Sequence, residues 1–366
     1  MWTEPTPDEQ AGFDTFVARF ASRCPRVESR RRMASYLRAL LSETERKNGW
    51  TLAEVAGDAG PEGMQRLLNF YSWDTDGVRD DVRDMVVESL GDADHGVLVV
   101  EETAFPKKGR KSAGVARQYS SSAGRLENCQ IGVFLAYSSP RGQALIDREL
   151  YLPVEWTADR RRCREAGIDD GIGFAGKPVL ARRMIERVVS AGVPFAWVTG
   201  DHVYGQDGDL RAWLESRDIA HVLAVPTAAT NFPVARIARM VADLGDGAWT
   251  RIGGAGAAGA TPYDWAVTDI RSRRRPDRRH WLLARRSARE PTELRYYVCF
   301  GPAETTLPDL VRVAGNQGTV AECLSIARNR TGLDHYQVRG YQPWYRHITL
   351  SMAAAAFLAL RHDTVI

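Results

Sequence analysis

The chain has 366 residues, 44% of them hydrophobic, with 49 basic and 46 acidic side chains and a formal charge of +3. That length allows one large domain or two to three small ones, and so small a net charge excludes nucleic-acid binding by bulk electrostatics, leaving it to local clusters. Five cysteines, at 24, 129, 163, 299 and 323, are scattered, odd in number and free of CxxC spacing, which argues against a disulfide framework or a structural zinc site. The first residues are acidic and polar rather than signal-like, so a cytoplasmic location is expected. The longest apolar stretch, residues 352–360, is too short to span a bilayer, so no membrane partner is expected.

Residues 1–92 read as an N-terminal helical domain. Residues 30–41 place Met33, Leu37, Leu40 and Leu41 on one face of an amphipathic helix. Gly60-Pro61 opens a second helix over 63–68, closed by Trp73-Asp74. A third covers 76–90, with Val78, Val82, Met85, Val86 and Leu90 along its buried stripe. Short helices joined by Gly-Pro near arginines read either as a helix-turn-helix that holds DNA or as a small bundle packed on the next domain.

The pattern then changes to strands. Val97-Leu98-Val99-Val100 has the length and β-branched content of a buried strand, and it ends in two consecutive carboxylates, Glu101 and Glu102. A basic cluster follows, Lys107, Lys108, Arg110 and Lys111, broken by Gly109. The chain has only five lysines, at 47, 107, 108, 111 and 177, so three of the five stand here, and 49 less 5 leaves 44 arginines. Acid at a strand end beside mobile cations is what a metal-and-phosphate site needs. Residues 129–137, 144–153, 195–200 and 221–226 are strand-like, with helices predicted over 178–191 and 210–217.

Further strand-like runs cover 264–270, 281–286 and 294–300. The arginine-rich run 271–279 between the first two reads as a hairpin-tip loop, either solvated or touching phosphate. Residues 253–260 form a small-residue loop lacking the strand–helix context of a nucleotide-binding turn. Two helices close the chain, one over 319–331 and a buried apolar one over 347–360. His347 reads as a helix-start packing residue, and Asp334 and Arg339 as capping and pairing around Gly332.

Residues 97–119, continued by Tyr119-Ser120-Ser121 and Arg125-Leu126-Glu127-Asn128-Cys129-Gln130, resemble the first catalytic motif of bacterial insertion-sequence transposases of the DDE, RNase H-like superfamily. The N-terminal segments Glu45-Arg46-Lys47-Asn48-Gly49-Trp50, Met64-Gln65-Arg66-Leu67-Leu68 and Trp73-Asp74 are similar to that family as well. The resemblance implies an α/β fold with an RNase H-like, retroviral-integrase-like mixed sheet. An N-terminal helical domain (1–92) with a DNA-end-binding role would precede the first part of the core (93–228). A β-rich insertion (229–305) and C-terminal helices completing the core (306–366) would follow.

Transposases of this kind hold two Mg²⁺ ions on three carboxylates, which activate water or a 3′-hydroxyl for in-line displacement at phosphorus. By resemblance the first position is Glu101, where the family has Asp. The second is Asp201, in Trp197-Val198-Thr199-Gly200-Asp201-His202-Val203-Tyr204-Gly205, with His202 where many relatives carry Glu. Aligned on Thr331-Gly332-Leu333-Asp334-His335-Tyr336-Gln337-Val338-Arg339, the family's third acid falls on Ala321, its Arg on Gln317, its Trp on Gly318 and its Lys on Arg328. Glu322 is one step from the missing acid, but one residue turns a helix by about 100°.

These departures lead to an expected transposase-derived protein that has lost metal-dependent strand transfer. It would serve either as a small-molecule enzyme in the old cleft or as a DNA-binding pseudoenzyme. The acid–base candidates are Glu101, Glu102, Asp201 and His202, with Glu322 as a stand-in. Lys107, Lys108, Arg110, Lys111 and Arg117 are the phosphate-binding candidates. Glu101 and Asp201 alone would bind Mg²⁺ or Mn²⁺ weakly, and no cofactor is expected unless nuclease chemistry survives. The alternative is an active transposase with a remodelled site, and by resemblance a homodimer.

Overall fold

Five helices precede the first strand in the computed structural model, which describes residues 6–120, 123–227, 234–253, 263–270, 277–287, 289–290 and 292–361. They are α1 (Pro7–Ala18), α2 (Val27–Leu41), α3 (Gly49–Val55), α4 (Glu62–Asn69) and α5 (Thr75–Leu90). Their starts follow from local chemistry. The Asn48 side chain accepts the N–H groups of Trp50 and Thr51 at the head of α3, and Asp74 accepts that of Gly77 at the head of α5. Phe13, Leu37, Leu40, Met64, Leu67 and Val82 from these helices form one core with Leu98, Val100, Val133 and Leu135 of the sheet.

The strands β1 (Val97–Pro106), β2 (Ala116–Ser120), β3 (Arg125–Ser139) and β4 (Gly142–Tyr151) come next. The segment to the following strand holds α6 (Val154–Ala158), α7 (Arg160–Glu165) and α8 (Lys177–Ser190). Then come β5 (Trp197–Gly200), α9 (His202–Gly205), α10 (Gly208–Ser216), β6 (Ala220–Val225) and α11 (Val234–Ala242). The remaining strands are β7 (Thr250–Ile252), β8 (Tyr263–Asp269), β9 (Arg278–Ser287) and β10 (Leu294–Pro302), and the last helices are α12 (Leu307–Thr331) and α13 (Tyr341–Arg361).

All ten strands join one mixed sheet in the order β2-β3-β1-β5-β6-β10-β9-β8-β7, with β4 also on β3. The pairs β1–β5 and β5–β6 are parallel and the others antiparallel, the mixed α/β arrangement of an RNase H-like fold. The β-rich segment continues the central sheet through the pairing of β10 with β6. The side carrying Val97, Val99 and Phe105 packs on α12 and on Trp344, Ile348 and Met352 of α13.

Arg278 and Arg279, expected in the hairpin-tip loop, open β9, and three other elements depart most from their expected bounds. The first strand does not stop at the carboxylates: β1 runs on to Pro106, because all ten of its residues pair with β3. The helix expected over 319–331 starts at Leu307, where Thr306 and Asp309 form a reciprocal capping box. The last helix starts at Tyr341, six residues before His347. Residues 271–276 of the arginine-rich run and 254–260 of the small-residue loop lie outside the described residues. All five cysteines are buried and unbonded to one another. Among the described residues no helix is long and apolar enough to cross a membrane.

Candidate functional site

The parallel ladder between β1 and β5 runs from Val97 opposite Trp197 to Val100 opposite Gly200. There β5 ends, because Asp201 turns the chain into α9 by accepting the Val203 N–H on Oδ1 at 2.9 Å. The next residue of β1 is Glu101, so the register brings Glu101 and Asp201 together. Strand alternation separates Glu101 from Glu102. Glu101 shares a face with Val97 and Val99, towards α12; Glu102 shares the face of Leu98 and Val100, towards α8.

Glu102 is buried and accepts the Lys177 ammonium on Oε1 at 2.6 Å. Its Oε2 is buried without a hydrogen-bond partner, as is the Tyr204 hydroxyl. Burial first, then the neighbouring Asp201 and Glu102 charges, push the Glu101 carboxyl up to about 8, against the Glu102 backbone N–H. Burial also raises Glu102 against the pull of Lys177, and raises Asp201 against His202, the α9 N–H groups and Lys177. Burial and the neighbouring charges thus favour a proton on Glu101 at neutral pH.

The helix α12 lies across these strand ends and is docked at two points. The Gln317 side chain donates from Nε2 to the Gly200 carbonyl at 2.5 Å. Arg328 donates to the Thr103 hydroxyl and, at 2.9 Å, to the Ala104 carbonyl. Gln317 and Arg328 are about three turns apart, so positions 321 and 324 share their stripe. Leu324 fills the core there, whereas Ala321 is exposed and offers only a methyl group. Glu322 is exposed on the adjacent face.

A pair of divalent ions needs a larger set of oxygen ligands than these side chains offer. Glu101 and Asp201 stand together, and Glu102 already carries an ammonium. Among the described residues no group of three or more His, Cys, Asp or Glu is arranged around a metal position. The residues present do not fit a two-ion centre.

The basic cluster lies beyond the end of β1. Asn128 fixes the turn by donating from Nδ2 to the carbonyls of Lys107, at 2.5 Å, and Gly109, at 3.0 Å. Lys108, Arg110 and Lys111 are exposed, but Lys107 is half-buried with its ammonium 3.5 Å from the centroid of the Tyr336 ring. Burial lowers the Lys107 ammonium to about 8, and Asp334 opposes this. Tyr336 donates to Gln130 Oε1 at 2.9 Å and accepts from Trp344 Nε1 at 3.1 Å, so the loop stands on the core.

Two concavities open on this loop. One of about 1700 Å³ has Lys107, Lys108, Arg110 and Lys111 in its wall. The other, of about 720 Å³, is lined by Lys108, Arg110 and Arg117 beside Arg162. Neither lining includes Glu101 or Asp201. The sequence-predicted site residues thus separate into a carboxylate centre at the β1–β5 junction and a cationic surface beyond the end of β1.

His202 stands at the rim, its Nδ1 3.7 Å from Asp201 Oδ2. His347 is buried in the core, its ring between the Tyr36 hydroxyl at 2.9 Å and the Gly332 carbonyl at 3.0 Å. The expected pairing of Asp334 with Arg339 is absent among the described residues. Asp334 Oδ1 is buried without a hydrogen-bond partner, and Gly332 closes α12 itself in the left-handed conformation at φ 63°. Lys177 and Tyr204 were not singled out as site residues from the sequence, and Gln317 and Arg328 entered only as counterparts of the family's motif Arg and Lys. Lys177 carried a usable signal, because it and Lys47 are the two lysines that stand outside the basic cluster.

The sequence model of the family described as DDE superfamily endonuclease matches residues 19–290, well over half of the chain. That segment contains Glu101 and Asp201 and ends before α12. A probable transposase for insertion sequence element IS701 of Microchaete diplosiphon is 25% identical over 191 residues, which cover 50% of this chain and 46% of that protein. The chain thus spans about half the length of this curated relative.

Proposed function

The chain belongs to the DDE superfamily endonuclease family, and from that premise we propose that it is a DNA-binding protein of transposase descent that does not carry out metal-dependent strand transfer. The observation that carries this reading is Ala321. It shares the stripe of α12 that carries the docking residues Gln317 and Arg328, and in this reading, which takes its register from the resemblance, it replaces the family's third carboxylate. The exposed loop Lys108, Arg110 and Lys111 supplies phosphate contacts independently of that centre. Lys177 neutralises part of the carboxylate charge from within the protein.

The test combines two measurements on the full chain. A labelled duplex is titrated by fluorescence anisotropy at several salt concentrations, and a supercoiled plasmid is incubated with Mg²⁺ or Mn²⁺ beside an Asp201→Ala control. The expected result is salt-sensitive duplex binding with no nicking above the control. Nicking that Asp201→Ala abolishes would establish instead an active transposase with a remodelled site. Failure to bind DNA would remove the reading altogether.

A further inference from the structure

Lys107 is held in a way that none of the other four lysines is. Lys177 donates to Glu102 at 2.6 Å, and Lys47 spends its ammonium on the carbonyls of Ser42, at 2.6 Å, and Thr44, at 3.0 Å. Lys108 and Lys111 are exposed to solvent. The Lys107 ammonium is half-buried against the face of Tyr336, and among the described residues it has no hydrogen-bond acceptor. Asp334 lies near enough to be felt but does not come within ion-pair distance. The stem of the side chain starts from a fixed point, because Asn128 pairs with both the Lys107 N–H and the Lys107 carbonyl.

An ammonium stripped of water and given no acceptor loses much of its advantage over the neutral amine. Burial accordingly lowers Lys107 to about 8, against the pull of Asp334. At pH 7 a lysine of ordinary value is neutral in about one molecule in a few thousand, and one near 8 in about one in ten. The ring face of Tyr336 also favours the ammonium, but it leaves the lone pair of the neutral amine uncommitted. Desolvation of this kind beside other cations is how a lysine becomes a nucleophile.

The surroundings select the electrophile. Lys107 stands in the wall of the larger cavity beside Lys108, Arg110, Lys111 and Arg339. Lysines and arginines of that lining outnumber the carboxylates Glu45 and Asp334 seven to two. A small anionic reagent is therefore concentrated where the amine is exposed to it.

We propose that Lys107 is a modification site, a nucleophilic amine that small acyl phosphates acylate. The amine attacks the acyl carbon and an N–C bond forms. The C–O bond to phosphorus-bound oxygen breaks, inorganic phosphate leaves with the electron pair, and the surplus amine proton goes to water. The product is a neutral amide, so one positive charge is lost from the loop and from the face of Tyr336. The inference goes beyond the DNA-binding reading and does not depend on it, since it needs only the cavity and the amine.

The experiment incubates the full chain with acetyl phosphate and follows each lysine by peptide mass spectrometry over time. Lys107 is expected to be acetylated about tenfold faster than Lys108 and Lys111, which share its loop and meet the same reagent. Its rate should level off above about pH 8, where a free lysine peptide continues to speed up. In urea, where the fold that buries Lys107 is lost, the preference should vanish. Equal rates along the loop, or slower reaction at Lys107, overturn the inference. A Lys107 rate that climbs with pH like that of the peptide also overturns it, as does a preference that persists in urea.

Discussion

Val100 and Gly200 stand opposite each other as the last pair of the parallel ladder between β1 and β5. The residue after each is a carboxylate, and a parallel register advances both strands in the same direction. Glu101 and Asp201 therefore emerge at one level, although a hundred sequence positions separate them. The same register leaves the rest of β1 without a neighbour on that side, which is where Gln317 and Arg328 bring α12 down.

The position of Ala321 on that helix makes a gain-of-function variant accessible. The side chain is exposed, so enlarging it displaces no core residue. Ala321→Glu combined with Glu101→Asp is expected to acquire Mn²⁺-dependent nicking of supercoiled plasmid, and a further Asp201→Ala change to abolish it. A properly folded double variant that never nicks would count against the placement of the third acid at 321.

Lys177 is expected to be a structural necessity. Its side chain is 18% exposed and that of Glu102 only 6%, so removing the ammonium strands a buried carboxylate. Lys177→Met should cost about 3–5 kcal/mol in urea unfolding at neutral pH. Adding Glu102→Gln should recover part of that loss, since the stranded group is then neutral. A double variant no more stable than Lys177→Met would show that the pair is not what the ammonium supports.

Acid stability should report on the buried histidines. Burial holds His347 and His221 down to about 4, from an ordinary value of 6.5. Between those values the unfolded chain binds protons that the native chain refuses, so stability falls as pH drops from about 6.5 towards 4. Each histidine contributes up to about 3 kcal/mol to that fall. His347→Gln loses its fit between Tyr36 and Gly332 at pH 7, yet should show a shallower decline between pH 7 and 5. Parallel declines in the two proteins would exclude His347 as a source.

The basic loop should be visible in the salt dependence of duplex binding. Lys108 and Lys111 are exposed and lie beyond the carboxylate centre. Lys108→Ala with Lys111→Ala should reduce the slope of log affinity against log salt by about 0.9 for each phosphate no longer neutralised. Weaker binding with an unchanged slope would mean that these lysines do not meet phosphate.

Much of the architecture could be read from the sequence because its cues are local. The stripe Val78, Val82, Met85 and Val86 marks α5, and the β-branched run before Glu101 marks the start of β1. The end of β1 was not legible, because its continuation depends on cross-strand pairing with residues 129–134 rather than on anything in residues 101–106. Lys177 was missed for a related reason. It stands just before the helix expected over 178–191, and only the fold places its ammonium on Glu102. Ala321 was placed by resemblance, and the flanking hydrogen bonds of Gln317 and Arg328 set its face of the helix.

Arg328 has a further consequence through the Ala104 carbonyl that it occupies. From Glu101 to Pro106, β1 is paired to β3 on one side only. A bare strand margin of that kind is a template on which a foreign strand can assemble. By donating to Ala104 and to the Thr103 hydroxyl, the guanidinium covers part of that margin with a charged group. Arg328→Ala, which bares that margin, is therefore expected to self-associate at high protein concentration, as light scattering would show.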